Sequence, residues 1–296
     1  MAPTRISIDL TDIPQKIGGF VMGRYIVVEG SKGLKLMGAA ASTTNEEVAT
    51  VLKDAVDVVK SVFNAENFDA AIIVIPNDTK QKHQDDIISY GRGHGFNITQ
   101  VIKEHTAVSA AYVEKVQPNI STNLAIISLT GGIVEISVVS IVPIDDPYVR
   151  YQFILQEHKA HPAVIDLDES KDQQKGSGSG ITGFIEGVAN AALVNVLDIL
   201  QNILESRNIR KAEVDKVVFV GKASRWETVR KAVKESFSEA EVWELGIDKP
   251  DEIVAYGAAY LSHLNMVMPM YLPDDLLVDQ RGHGWMREEG PPLGWK

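Results

Sequence analysis

The sequence predicts an α/β protein of two lobes. Apolar, β-branched runs of strand length alternate with stretches whose apolar residues recur at helical spacing. The run Ala70–Ile75 is continuously apolar, the mark of a strand buried on both faces. A β-hairpin with trailing helices and strands occurs once in each half, so the architecture reads as duplicated.

Taken in order, Ile6, Ile8 and Leu10 alternate, and Phe20–Met22, Tyr25–Val28 and Leu34–Met37 continue an antiparallel meander. Gly18-Gly19 and Gly30-Ser31-Lys32-Gly33 are read as its turns. Thr44 with Glu47 is a capping-box signature, and Val48, Val51, Leu52, Ala55, Val59 and Val62 then trace one long amphipathic helix. The strand Ala70–Ile75 ends in Pro76, a helix covers Thr79–Tyr90, and the strand Asn97–Ile102 leads into a helix from Thr106. Leu124–Leu129 and Ile133–Val142, joined by Thr130-Gly131-Gly132, read as a hairpin with a tight glycine turn. Periodicity fades between Asp145 and Gly180, and Gly176-Ser177-Gly178-Ser179-Gly180 has the composition of a flexible linker, natural or engineered. Ile185, Val188, Ala192, Val196, Ile199 and Ile203 mark a further helix. A strand at Lys216–Val220, a helix from Trp226, a strand at Glu241–Glu244 and a helix from Asp251 follow. The expected division is an N-terminal lobe over 1–115, a C-terminal lobe over 116–265 and an irregular tail over 266–296.

Of 296 residues, 45% are hydrophobic and 23% charged, enough for a sizeable core in one large or two smaller domains. A formal charge of −11 repels nucleic acid and anionic membrane surfaces, so neither is expected as a partner. Cysteine is absent, which excludes disulfides, a thiol nucleophile and a thiolate metal site. No apolar run approaches the roughly 18 residues of a membrane span, and the N-terminus lacks a signal-type run. The expected location is cytoplasmic.

Several segments resemble the nucleotide-binding, actin-like ATPase domain of the DnaK-type 70-kDa heat-shock chaperones. Ala70–Val113 resembles that family's run of strand, Val-Pro, helix and Asn-Glu-Pro-Thr-Ala-Ala crossing helix. Glu104, Thr106 and Ala107 are kept, while Lys103 stands at the asparagine and His105 at the proline. Asn123–Ile141 resembles the second phosphate loop, usually Asp-Leu-Gly-Gly-Gly-Thr-Phe-Asp. Val214–Phe237 resembles the adenosine motif, and Lys249–Leu264 its closing Pro-Asp-Glu-Ala-Val-Ala-Tyr-Gly-Ala-Ala helix. Asp274–Asp279 is similar to the linker that joins this domain to a substrate-binding domain. The resemblance is close over Ala70–Ile141 and Val214–His263. It implies a duplicated two-lobed fold of ribonuclease H-like lobes, with the outer subdomains largely missing for want of residues.

What the resemblance implies for chemistry can be followed residue by residue. Phosphoryl transfer depends on placing amides, a cation and Mg²⁺ around the phosphates. Asp9, in Ile6-Ser7-Ile8-Asp9-Leu10, stands at the carboxylate that organises Mg²⁺ and water; the plainer reading is a polar residue at a strand edge. Thr11-Asp12-Ile13-Pro14 replaces the glycine-threonine turn whose amides face phosphate. In the second loop Gly131 and Gly132 remain, but Ser128 stands at the metal-side aspartate, Thr130 at the first glycine, Ile133 at the threonine and Glu135 at the next aspartate. The lysine carried by the missing outer subdomain has no counterpart. Loss of a positioned cation and a metal ligand together costs several orders of magnitude in rate.

The adenosine site keeps Gly221, Ser224 and Arg225; Ala223 replaces a serine and Lys222 a glycine, where it either blocks the nucleotide or pairs with a phosphate. Asp251 stands at a nucleotide contact and is equally an ordinary helix N-cap. ATP or ADP with Mg²⁺ is therefore the implied ligand, with no residue that reads as catalytic beyond Asp9. Elsewhere, His158 and His161 beside Glu157 have near-ligand spacing but read as an exposed loop rather than a zinc site, and Asp85-Asp86 reads as a solvated helix face.

Two functions are compatible with this pattern. One is a degenerate, non-catalytic chaperone-type domain that binds protein as a co-chaperone or assembly module. The other is a minimal nucleotide-dependent switch with slow hydrolysis. The tail, with Met266, Met268, Met270, Tyr271, Leu272, Leu276, Leu277, Trp285 and Trp295 among prolines, either docks on its own lobe or engages a partner.

Overall fold

The meander expected from the opening alternation is formed by β1 (Thr4–Asp9), β2 (Lys16–Val21) and β3 (Arg24–Glu29), paired antiparallel. In this computed structural model residues 4–11, 15–21, 24–31, 45–62, 68–93, 97–130, 133–145, 150–162, 197–221, 227–237, 241–242 and 250–267 are described. Ile6, Ile8 and Ile17 face one side, where α1 (Asn45–Val62) lays Val48, Val51, Leu52, Ala55 and Val59 over them. β4 (Phe68–Ile75) pairs parallel with β1, and β5 (Ile98–Lys103) parallel with β4, α2 (Gln81–Gly93) lying between them in sequence. The first sheet thus runs β3-β2-β1-β4-β5.

After α3 (Glu104–Val116), the second half repeats the plan. β6 (Thr122–Thr130), β7 (Ile133–Pro143) and β8 (Tyr151–Pro162) are antiparallel; β9 (Lys216–Val220) is parallel to β6 and β10 (Glu241–Val242) parallel to β9. The order β10-β9-β6-β7-β8 matches that of the first sheet strand for strand. Helix α4 (residues 197–206) precedes β9, α5 (Glu227–Ser236) follows it, and a 3₁₀ turn at Pro250–Glu252 starts α6 (Ile253–Val267). This is the two-sheet α/β architecture that the sequence predicts, consistent with a partial actin-like ATPase fold. No helix among the described residues is long and apolar enough to cross a membrane.

Helices α3 and α6 fill the space between the sheets. Residues Glu104–Val113 of α3 are all buried, as expected of a helix enclosed on every side. Its end is set by Gln117, whose left-handed backbone (φ 47°, ψ 60°) returns an N–H to the Val113 carbonyl. Although α6 comes last, it packs on the first sheet: Ser7 Oγ donates to the Ala255 carbonyl at 3.0 Å and Ser262 Oγ to the Ile6 carbonyl at 3.2 Å. Small residues allow this approach. A Cβ on Gly18 would lie 2.5 Å from the Ala255 oxygen, and one on Gly257 1.8 Å from the Ala107 oxygen.

Three expectations are corrected here. Gly18-Gly19 is not a turn; both lie within β2, where the α6 backbone presses against the strand. The aperiodic stretch after Asp145 contains β8, a strand of 12 residues. A register shift between Val138 and Val139 breaks the two-residue period against β8, which is why alternation failed to reveal it. His158 consequently lies in a strand and not in an exposed loop. Leu34–Met37, Thr44, residues 176–180 and the tail beyond Val267 lie outside the described residues.

Gly257→Ala should destabilise the chain by about 3 kcal/mol or more, since the methyl group meets backbone that cannot move aside. Denaturant unfolding measures it; a loss below about 1 kcal/mol would mean that the two helices can separate cheaply.

Candidate functional site

The carboxyl ends of the parallel strands in both sheets point to the region between them, and buried polar residues gather there. Asp9 closes β1 and is fully buried. Its Oδ1 accepts the Thr11 N–H at 2.9 Å and the Thr11 hydroxyl at 2.6 Å. The residue that replaces a glycine turn therefore folds its own hydroxyl back onto the carboxylate. Ser128 is buried near the end of β6, in register with Glu135 on β7 and Val220 on β9. Gly221 follows β9 in a conformation (φ 84°) that only glycine adopts readily. Gly131, Gly132, Lys222, Ser224 and Arg225 lie outside the described residues.

Asp251, in the turn that begins α6, directs its carboxylate to Lys16 at 3.3 Å, and the same ammonium donates to Glu29 at 2.7 Å. Burial alone would lower the Lys16 pKa, but the two carboxylates outweigh it and hold the ammonium above its ordinary value. The sequence reasoning missed Lys16. The signal available was a lysine flanking an apolar strand on the same side as Ser7 and Gly18, where α6 leaves no room for solvent.

A second network joins the sheets. Asn77, just beyond β4, donates from Nδ2 to Glu135 Oε2 at 3.0 Å. Its Oδ1 accepts the His105 backbone N–H at 3.1 Å and contacts His105 Nδ1 at 2.8 Å. Lys103 Nζ donates to the Thr79 carbonyl at 2.6 Å. Ser137 Oγ lies 3.0 Å from His158 Nδ1, across the β7–β8 pair. Among the described residues Glu135 Oε1 and His158 Nε2 are buried with no hydrogen-bond partner.

Burial and the Asp78 carboxylate push the Glu135 carboxyl up to about 7, with Asn77 and Lys103 opposing. Burial lowers Lys103 to about 8, with Asp78 and Glu135 opposing; it also lowers His105 to about 3, and the neighbouring cations act in the same direction. For His158, burial brings the value to about 4. Both imidazoles are therefore neutral at physiological pH, and His105 Nδ1–H is the donor to Asn77.

Residues 183–274 match the family model described as Hsp70 protein. The match spans less than half of the chain, and covers the adenosine-motif half through α6. At that coarse level it supports a chaperone-type nucleotide-binding domain, and domains of that family bind ATP or ADP with Mg²⁺. Magnesium demands near-octahedral oxygen ligands, commonly one or two carboxylates with waters and phosphates. The described residues do not fit it. One Asp9 oxygen is taken by Thr11, a hydroxyl stands at Ser128, and an ammonium occupies the space beside Asp251. Among the described residues no three His, Asp or Glu side chains converge as a metal site requires.

The raised Glu135 pKa fixes the sign of a pH effect. The folded chain holds this proton more tightly than the unfolded one, so the contribution is full below pH 4.5 and is lost as pH rises through about 7. Glu135→Gln cannot ionise and loses nothing over that window. Its stability relative to wild type should rise by roughly 1–3 kcal/mol between pH 4.5 and 8 in denaturant melts. A constant difference would mean that Glu135 is solvated.

Proposed function

We propose that the chain is a degenerate chaperone-type ATPase domain acting as a non-catalytic, protein-binding module of the cytoplasm, a pseudo-ATPase retained as a co-chaperone or assembly partner. The observation that carries this reading is the mutual pairing of the groups at the strand ends, Lys16 with Asp251 and Glu29, Asp9 with Thr11, and Asn77 with Glu135 and His105. Each of these side chains already commits at least one polar atom to another residue of the chain, which leaves fewer of them to meet a phosphate or a metal ion. The match over residues 183–274 favours a domain descended from the nucleotide-binding type. The tail Met266–Lys296, apolar and proline-interrupted, is the proposed contact for a protein partner.

A second reading, a minimal nucleotide-controlled switch, is favoured by Gly221. Its left-handed backbone at the end of β9 is the local geometry that lets a loop approach a ligand closely, and the turn carrying Asp251 packs against that strand.

Titration calorimetry with ADP and ATP, with and without Mg²⁺, separates the two. No heat and no thermal stabilisation at millimolar nucleotide is expected. Micromolar affinity with Mg²⁺-dependent hydrolysis that Asp9→Ala abolishes would replace the pseudo-ATPase reading with the switch. Removal of Pro273–Lys296 should weaken capture of protein partners in a pull-down; undiminished capture would assign binding to the folded lobes instead.

A further inference from the structure

Asp9, Lys16 and Glu29 stand side by side across three strands, Asp9 in register with Lys16 and Lys16 with Glu29. Directly opposed residues of a sheet project to one face. This face also carries Ser7, Gly18 and Tyr25, each of them against α6. The turn that opens α6 brings a second carboxylate, Asp251, to the ammonium that Glu29 already meets. The Lys16 side chain is 3% exposed and that of Asp251 5%, whereas Glu29 is half exposed. One buried ammonium therefore serves two carboxylates, one buried and one half exposed, with the Asp9 carboxylate on the neighbouring strand. A charge in that position is tolerated only when it is paired.

We propose that Lys16 is a built-in cation: its ammonium does for this carboxylate-lined face what a bound divalent ion does in a metal-dependent site, so that the face neither needs nor takes a metal. The misfit to magnesium described above then has a positive cause. An ammonium offers three donors and no vacant coordination position, so it neutralises carboxylates without organising water or phosphate. Being covalently attached, it cannot be diluted away or chelated. The proposal rests on the pseudo-ATPase reading in that a working metal site would leave the ammonium no place.

The test follows thermal unfolding of the full chain, as wild type, Lys16→Met and Lys16→Met with Asp251→Asn, from pH 5 to 8. Each is melted in MgCl₂, in MnCl₂ and in NaCl of matched ionic strength. Wild type should melt at the same temperature in all three salts. Lys16→Met should melt roughly 10 °C lower at pH 7, because a buried carboxylate is left uncompensated. Asp9, Glu29 and Tyr25 are the other ionisable groups on this face of β1 and β3, so the loss is followed across the whole pH range. Adding Asp251→Asn should recover most of the loss.

A wild-type melting temperature that climbs in MgCl₂ or MnCl₂ beyond its NaCl control overturns the proposal, and that arm needs no variant to fold. A double variant no more stable than Lys16→Met overturns it equally. Nucleotide calorimetry bears on neither arm, so failure of the functional reading and failure of this one are told apart.

Discussion

The crossing of α3 and α6 at Gly257 is the constraint on which the arrangement depends. With no side chain at that position, the two backbones approach until Gly257 lies against the Ala107 carbonyl, and Ala110, Ala111 and Ala258 pack in the same buried cluster. This narrow waist lets one helix pair serve two sheets: α6 reaches β1 and β2 through Ser7, Gly18 and Ser262, while the apolar side chains of α3 join those of β6, β7 and β9. Larger residues at the waist would push the sheets apart, and the polar bridges between them, each only about 3 Å long, would open with them.

Those bridges owe their strength to the same closeness. Burial raises Glu135 and lowers Lys103, His105 and His158, as expected of groups held away from water at the strand ends. In such surroundings a satisfied polar network specifies one arrangement of the lobes, because every shifted arrangement leaves a donor, an acceptor or a charge without its partner.

Much of the fold was legible in the sequence because its main determinants are local and periodic. Ile6, Ile8 and Leu10 alternate, Val48 to Val59 follow the helical repeat, and Ala70–Ile75 is apolar throughout; each signal is independent of what packs against it. What escaped notice depended on partners distant in sequence. Gly18-Gly19 has the composition of a turn, and only the α6 backbone explains it as strand. β8 hides behind its own bulge at Gln156, which the pairing with β7 skips. Asp9 and Asp251 could be singled out by resemblance, and His105 and His158 could be marked by position without their partners, but Lys16 and Asn77 carry no motif; their roles come from the topology that brings β2 to α6 and β4 to β7. Resemblance identified where a ligand would sit in a related domain, and the side chains that fill that region came from elsewhere in the chain.

The dependence of the first sheet on the last helix has a consequence for synthesis. The hydrogen bond from Ser7 to Ala255 spans 248 residues, so the inner face of β1 and β2 cannot be covered until almost the whole chain has been made. At about 5–20 residues per second that is a wait of ten seconds or more on the ribosome. Meanwhile a nearly complete sheet presents apolar strands and a lysine without its Asp251 partner to solvent. A chain built this way has a high contact order and a long aggregation-prone interval. Its nascent form thus exposes apolar surface for longer than its mature fold would suggest.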